Sequence, residues 1–216
     1  MWNQSIKKKP SKDLFKYNSR VHIEHPAAIS IFQANLDLFF TQLYDQTSQL
    51  IILCIGTDRS TGDSLGPLVG AKLKAMDCMA NIPIFGTLDD PVHAVNLEET
   101  IKIINDEYPE SFIIAVDACL GRTESVGYIS IKEGPLQPGT GVNKSLPAIG
   151  DLHIVGIVNV GGFMEYMVLQ NTRLSLVMKM AETISQGIAK DISKHYQFQL
   201  PRFETDPDSM RLETTT

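Results

Sequence analysis

The polar residues best placed for chemistry are two aspartates that each follow an apolar run. In Ile51-Ile52-Leu53-Cys54-Ile55-Gly56-Thr57-Asp58-Arg59-Ser60-Thr61-Gly62-Asp63-Ser64-Leu65-Gly66-Pro67, a buried strand runs into a glycine-bounded polar loop that delivers Asp63 where a helix should begin. A second apolar strand, Phe112 to Val116, ends on Asp117, followed by Ala118-Cys119-Leu120-Gly121. Singly, each has a plain role, Asp63 as a helix cap and Asp117 as a turn anchor. As a pair at the carboxyl ends of two strands they can do more. Two close carboxylates repel, so one keeps its proton while the other ionises. The ionised member can then activate water while the protonated one polarises a carbonyl, which is acid–base amide hydrolysis. A few Å further apart, the same two become legs of a divalent-metal site that needs a third ligand, with His93 on the neighbouring loop as the candidate. His153 begins a later strand and is expected at the opposite edge of the sheet.

The loop itself excludes a phosphate cradle. A Walker loop needs Gly-x4-Gly-Lys-Ser/Thr, but counting from Gly56 the second glycine position holds Thr61, and Asp63 follows Gly62 where a lysine is required. A carboxylate there would repel a phosphate from the positive end of the helix dipole. As a carboxylate site the loop is well furnished. Gly56 and Gly62 let the backbone turn, Gly66 allows close helix–strand packing, and Asp63 gains from the dipole. Asp58 lies on the same loop. Cys119 is the one thiol near these residues, and with no base beside it in sequence it reads as packing.

Alternating elements must position the pair. Pro26-Ala27-Ala28 opens a helix with Ile29, Phe32, Leu36, Phe39, Phe40 and Leu43 at helical spacing. Strand 50–55 and helix 64–76 follow, then Ile82-Pro83-Ile84-Phe85-Gly86, whose proline suits an edge strand. A helix over 92–107 carries Val95, Leu97, Ile101 and Ile104 inward. Strands are expected at 111–117, 128–131 and 154–158, with a long loop from Gly134 to Gly150. From Phe163 to about Tyr196 the chain reads mostly helical, with Met164, Met167, Val168, Leu174, Val177, Met178 and Ile184 available for packing. Such alternation implies right-handed crossovers and a three-layer α/β/α sandwich. In doubly wound sheets the first strand commonly lies between the second and third, and the crevice between their loops is the usual ligand site. Residues 1–25 read as a flexible arm, 26–198 as one α/β/α domain, and 199–216 as a disordered tail.

The 216 residues are 43% hydrophobic, enough for a full core in one domain, and carry a formal charge of −6, so no attraction for nucleic acid or an anionic membrane is expected. Three cysteines without a CxxC pair favour a reducing cytosol, and no apolar run is long enough for a membrane span.

Three blocks resemble a known family: Gly56-x6-Asp63-x2-Gly66-Pro67, then Ile113-Ile114-Ala115-Val116-Asp117-Ala118, then Pro138-Gly139-Thr140-Gly141-Val142-Asn143-Lys144. In order and spacing they are similar to the signature blocks of the germination protease of endospore-forming bacteria, which degrades small acid-soluble spore proteins. The whole chain resembles the smaller YyaC family of sporulation proteins. A more distant likeness is to hydrogenase maturation endopeptidases, which place acidic residues at the Asp63 and Asp117 positions to hold nickel of the partner enzyme. The resemblance implies a mostly parallel sheet of the phosphorylase/hydrolase-like, hydrogenase-maturation-protease type. It implies Asp63 and Asp117 as the catalytic pair, and Gly141, Asn143 and Lys144 as a glycine-rich loop shaping the site.

The expectation is therefore an aspartate-dependent endopeptidase in the cytoplasm, forespore or spore core of a sporulating bacterium. Asp63 and Asp117 are catalytic, with Gly56, Asp58, Gly66, His93, Gly141, Asn143 and Lys144 binding substrate or shaping the site. A protein or peptide is the substrate, small acid-soluble spore proteins among the candidates, and no resident cofactor is required. A divalent metal at Asp63, Asp117 and His93, and self-association into a homo-oligomer, stay open. Two rivals remain: a non-catalytic sporulation binding module on the same scaffold, and a metal-dependent maturation peptidase. The loop from Gly134 to Gly150 is expected to fold back over the aspartates.

Overall fold

The computed structural model describes residues 19–45, 47–138 and 146–196. The apolar run before Cys54 forms strand β2 (Leu50–Cys54), buried at every position because it has a strand on each side and packing on both faces. It pairs in parallel with β4 (Phe112–Gly121) and with the two-residue edge strand β3 (Ile84–Phe85). β4 in turn pairs in parallel with β6 (Leu152–Val160). Beyond it, β5 (Tyr128–Glu133) and β1 (Arg20–His22) continue the sheet antiparallel. The order β1-β5-β6-β4-β2-β3 puts the 50–55 strand between its two successors, as the alternation predicts. The sheet is mixed, parallel from β6 to β3 and antiparallel from β6 to β1. Pro83 sits beside the edge strand, its carbonyl accepting from the Ile52 amide at 3.0 Å.

Helices cover the two faces unequally. One face carries α1 (Ala28–Leu43), α2 (Leu65–Lys74) and α5 (Leu174–Tyr196), packed on Leu50, Ile52, Cys54, Ile114, Val116 and Ile154. The other face, made by Ile51, Leu53, Ile55, Ile113 and Ala115, is covered by α3 (Leu97–Glu107) through Leu97 and Ile104 and by Leu136, Leu146 and Ile149. No described helix is long and apolar enough to cross a membrane.

Several expectations need correction. Residues 20–22, assigned to the arm, are a strand: Val21 is buried and Arg20 pairs with Ser130. The helix expected over 92–107 begins only at Leu97, because Pro91–Asn96 is shaped by a turn in which the Asn96 side chain accepts from the His93 amide. Val95, expected inward, is 82% exposed. The helical stretch after Phe163 is broken into a short α4 (Glu165–Gln170) and α5, and Met164, Met167, Leu174 and Met178 are exposed rather than core, whereas Val177 and Ile184 are fully buried. The tail from 197 onward and the arm before 19 lie outside the described residues.

Candidate functional site

Asp117 is not the end of its strand. β4 continues to Gly121 because β6 runs alongside it, pairing Asp117 with Val155 and Gly121 with Val160. On its other side β4 loses its neighbour: the last β2 pair is Cys54 with Val116, and the Ile55 amide donates to the Val116 carbonyl at 2.7 Å. Asp117 is thus the first residue past the point where β2 and β4 part, in the crevice where parallel sheets bind ligands. By strand alternation its side chain shares a face with Ile113 and Ala115, the face that α3, Leu136, Leu146 and Ile149 partly cover.

The chain leaving β2 supplies the facing wall. The Gly56 amide donates to the Val92 carbonyl at 2.8 Å, tying the loop to the segment that carries His93. The loop closes through the Thr57 amide, which donates to the Asp63 carbonyl at 3.1 Å. Gly56 has φ +143°, and a Cβ there would lie 2.0 Å from the Asp63 carbonyl oxygen, so the turn exists only with glycine at this position. At Gly66 a Cβ would stand 2.1 Å from the Ile55 carbonyl oxygen, the close approach by which α2 seats on β2. Asp63 lies in a 3-10 turn, Gly62–Ser64, before α2, and makes no side-chain cap.

The electrostatics couple the two carboxyls. Asp117 is 8% exposed, and its pKa is raised well above the ordinary carboxylate value, first by burial and then by the charge of Asp63. Its Oδ1 accepts the Ala118 amide at 2.7 Å, which opposes that rise without cancelling it. Asp63 is also raised by burial, but less, since the Thr57 amide and the nearby His93 draw it down. Among the described residues neither carboxylate takes part in an ion pair, so neither is neutralised by Arg59 or Arg122. Cys119 lies two residues along the same strand face, and burial and the Asp117 charge push its thiol up to about 11, away from nucleophilic use at neutral pH.

The structure therefore brings Asp63, Asp117 and His93 into one electrostatic neighbourhood. Asp58 is exposed on the loop, with Thr57 as its hydrogen-bond neighbour rather than either carboxylate. His153 pairs in register with Ala115, two positions back from the Asp117 level, and its Nδ1 lies 2.8 Å from the Gly134 carbonyl oxygen. Gly141, Asn143 and Lys144 lie outside the described residues. The ends of their loop are described: Leu136 and Ile149 form an antiparallel bridge, and both pack with Leu146 under the Asp117 face of the sheet. Among the described residues, the ligand atoms of Asp63, Asp117 and His93 do not all lie within 4.8 Å of one another.

One neighbour of the site was not foreseen. α4 packs on the Asp63 turn so tightly that a Cβ at Gly62 would lie 2.8 Å from Leu169 Cδ2 and from Thr172 Oγ1. Its outer side presents an apolar ridge, with Phe163 89%, Tyr166 61% and Met167 47% exposed. Met164 opens this helix at φ +57°, a strained conformation for a residue with a side chain. Gly161-Gly162 just before it was the available signal of a break in the helical stretch.

Comparison with known proteins gives three findings. The family described as "Protein of unknown function (DUF1256)" matches over residues 20–187. The "Uncharacterized protein YyaC" of Bacillus subtilis (strain 168) is 52% identical over 178 residues, covering 82% of this chain and 86% of that protein. Among solved structures, the [NiFe] hydrogenase maturation protease HycI from Thermococcus kodakarensis KOD1 superposes with a TM-score of 0.50 at 19% identity, covering 74% of this chain and 98% of that one. The last is a likeness of fold: the α/β architecture is that of a maturation protease.

Proposed function

The chain belongs to the DUF1256 family, and we propose that it is an endopeptidase in which Asp63 and Asp117 share one proton and hydrolyse a peptide bond. The observation that carries this reading is the elevation of Asp117 by burial together with the charge of Asp63, at the point where β2 and β4 separate. Two carboxyls of unequal proton affinity in one crevice are the requirement for acid–base amide hydrolysis. Asp117, the more elevated, keeps the proton and donates it toward the substrate carbonyl oxygen. Asp63, raised by burial but less than Asp117 because the Thr57 amide and His93 oppose the rise, is the member that gives up its proton first and so takes a proton from water. The water oxygen bonds to the carbonyl carbon, giving a tetrahedral diol. Asp63 then passes its proton to the leaving nitrogen as the C–N bond breaks, and Asp117 recovers its own as the carbonyl re-forms.

The maturation-protease architecture supports the reading as a scaffold alone. The ordered spacing of Gly56, Asp63, Gly66-Pro67 and Ile113–Ala118, similar to the germination protease, supports a spore protein as substrate and the forespore or spore core as the place of action. The exposed ridge of Phe163, Tyr166 and Met167 beside the Asp63 turn offers apolar surface to an extended polypeptide.

The test is incubation of the purified chain with small acid-soluble spore proteins from pH 5 to 8, with products identified by mass spectrometry. Defined internal cleavage by the wild type, absent from Asp63→Asn and Asp117→Asn proteins of unchanged circular dichroism, is expected. Tight binding of those proteins without cleavage at any pH would instead establish the non-catalytic binding module.

A further inference from the structure

A second cluster of titratable side chains lies away from the crevice, where α1 meets the end of α5. Asp37 comes from α1; Asp191, Lys194 and His195 come from α5, spaced i, i+3 and i+4 and so on one helix face. The His195 ring lies 5.0 Å from that of Phe40, and Phe40 packs against Phe112 at the start of β4. The cluster is therefore near the opposite end of β4 from the crevice, about five residues or ~17 Å along the strand from Asp117.

Asp191 is the anomaly. Its side chain is 0% exposed, neither carboxylate oxygen meets the geometry of a hydrogen bond among the described residues, and burial together with the facing Asp37 carboxylate pushes its pKa up to about 7. A buried carboxylate without a donor is costly, and such a group is expected to hold a proton or a cation. The surroundings favour a cation. His195 Nε2 stands 2.8 Å from Asp37 Oδ1 and 4.0 Å from Asp191 Oδ1, and one ligand atom from each of the three residues lies within 4.8 Å of the others. Ligands held about 2.0–2.2 Å from one ion are separated by roughly 3–4 Å, so small side-chain adjustments bring the three onto a common centre. A proton would serve one oxygen of Asp191; an ion would engage both carboxylates and the imidazole at once.

We propose that Asp37, Asp191 and His195 form a structural divalent-cation site that clamps α1 to α5, with a nitrogen-plus-oxygen donor set suited to Zn²⁺. Lys194 Nζ bridges both Asp37 oxygens at 2.8 Å and neutralises that carboxylate when no ion is bound. The Lys194 side chain is 51% exposed, so it can turn to solvent when an ion neutralises Asp37. Ligation through His195 Nε2 replaces its 2.8 Å contact with Asp37 Oδ1, the proton of that contact passing to solvent and the ring keeping a proton on Nδ1. The clamp does not depend on the proposed peptidase activity.

The experiment is titration of the untagged, chelator-stripped full chain with Zn²⁺ at pH 7.5, read by calorimetric stoichiometry and by melting temperature. Binding of Zn²⁺ with a rise of at least about 4 °C at saturation is expected. Asp191→Asn should remove one equivalent and the whole rise, with His195→Gln as an independent second variant. The Asp63→Asn/Asp117→Asn double variant should keep both, which separates this site from the crevice. No metal-dependent rise in the wild type, or a rise that survives Asp191→Asn and His195→Gln, overturns the proposal and leaves Asp191 as a protonated acid.

Discussion

Gly56→Ala should dismantle the candidate site from the backbone outward. A Cβ at this position meets the Asp63 carbonyl oxygen at 2.0 Å and Pro67 Cδ at 3.0 Å, so the nearer contact falls short of ordinary van der Waals distance by about 1.4 Å. Moving the carbonyl by that amount breaks the 3.1 Å bond from the Thr57 amide, a loss of about 1 kcal/mol. The φ of +143° adds strain of about 1–3 kcal/mol for a residue with a side chain. The total, about 2–4 kcal/mol, lowers the melting temperature by roughly 4–16 °C for a domain of this size. Gly134→Ala is the control: φ is +88° there, but no atom lies within 4 Å of the new Cβ, so the strain of about 1–3 kcal/mol acts without collision and a drop of about 2–12 °C, smaller than that of Gly56→Ala, is expected. Thermal unfolding by circular dichroism measures both. Carbonyl-detected NMR titration adds a local readout, because an Asp63 turn pushed outward takes its charge away from Asp117. The Asp117 pKa should then fall toward the value that burial alone sustains. A Gly56→Ala melting temperature within about 2 °C of wild type, or a Gly134→Ala loss of equal size, would falsify the collision.

Three further outcomes are expected. Asp63→Asn and Asp117→Asn should each lower peptide cleavage by about 10²–10⁴-fold, and the double variant should be little worse than either, as for groups acting as a unit; additive losses would separate their roles. Folded Asp117 keeps its proton to well above the pH at which the unfolded chain releases it, so its contribution to stability is complete below about pH 4 and is lost as pH rises toward the native value. Urea unfolding from pH 4 to 9 should therefore show a decline with pH that Asp117→Asn flattens, and an unchanged slope would contradict the burial of that charge. Phe163→Ser, at a side chain 89% exposed, should leave stability within about 0.5 kcal/mol, while a raised KM for a protein substrate with kcat unchanged would place the ridge in substrate binding.

The α/β class, the strand at 50–55 flanked by its two successors, and the placing of Asp63 on the loop after that strand and of Asp117 on its neighbour were legible in the sequence. These follow from local rules: apolar runs bounded by glycine and proline read as buried strands, helical spacing of Phe32, Leu36, Phe39 and Phe40 reads as a helix, and right-handed crossovers fix which loops face each other. Tertiary structure decided the rest. Asp117 lies inside a strand because β6, nearly forty residues later, extends alongside it, and no local pattern encodes where a distant partner ends. Arg20–His22 joined the sheet for the same reason, its partner being β5. The methionines after Phe163 looked like core because periodicity reports amphipathicity, not which elements come to cover a face. Met180 was covered and Met164, Met167 and Met178 were left in solvent. The orphaned Asp191 was likewise invisible in sequence, since its oxygens become costly only when α1 packs over the end of α5 and removes the water that would have solvated them.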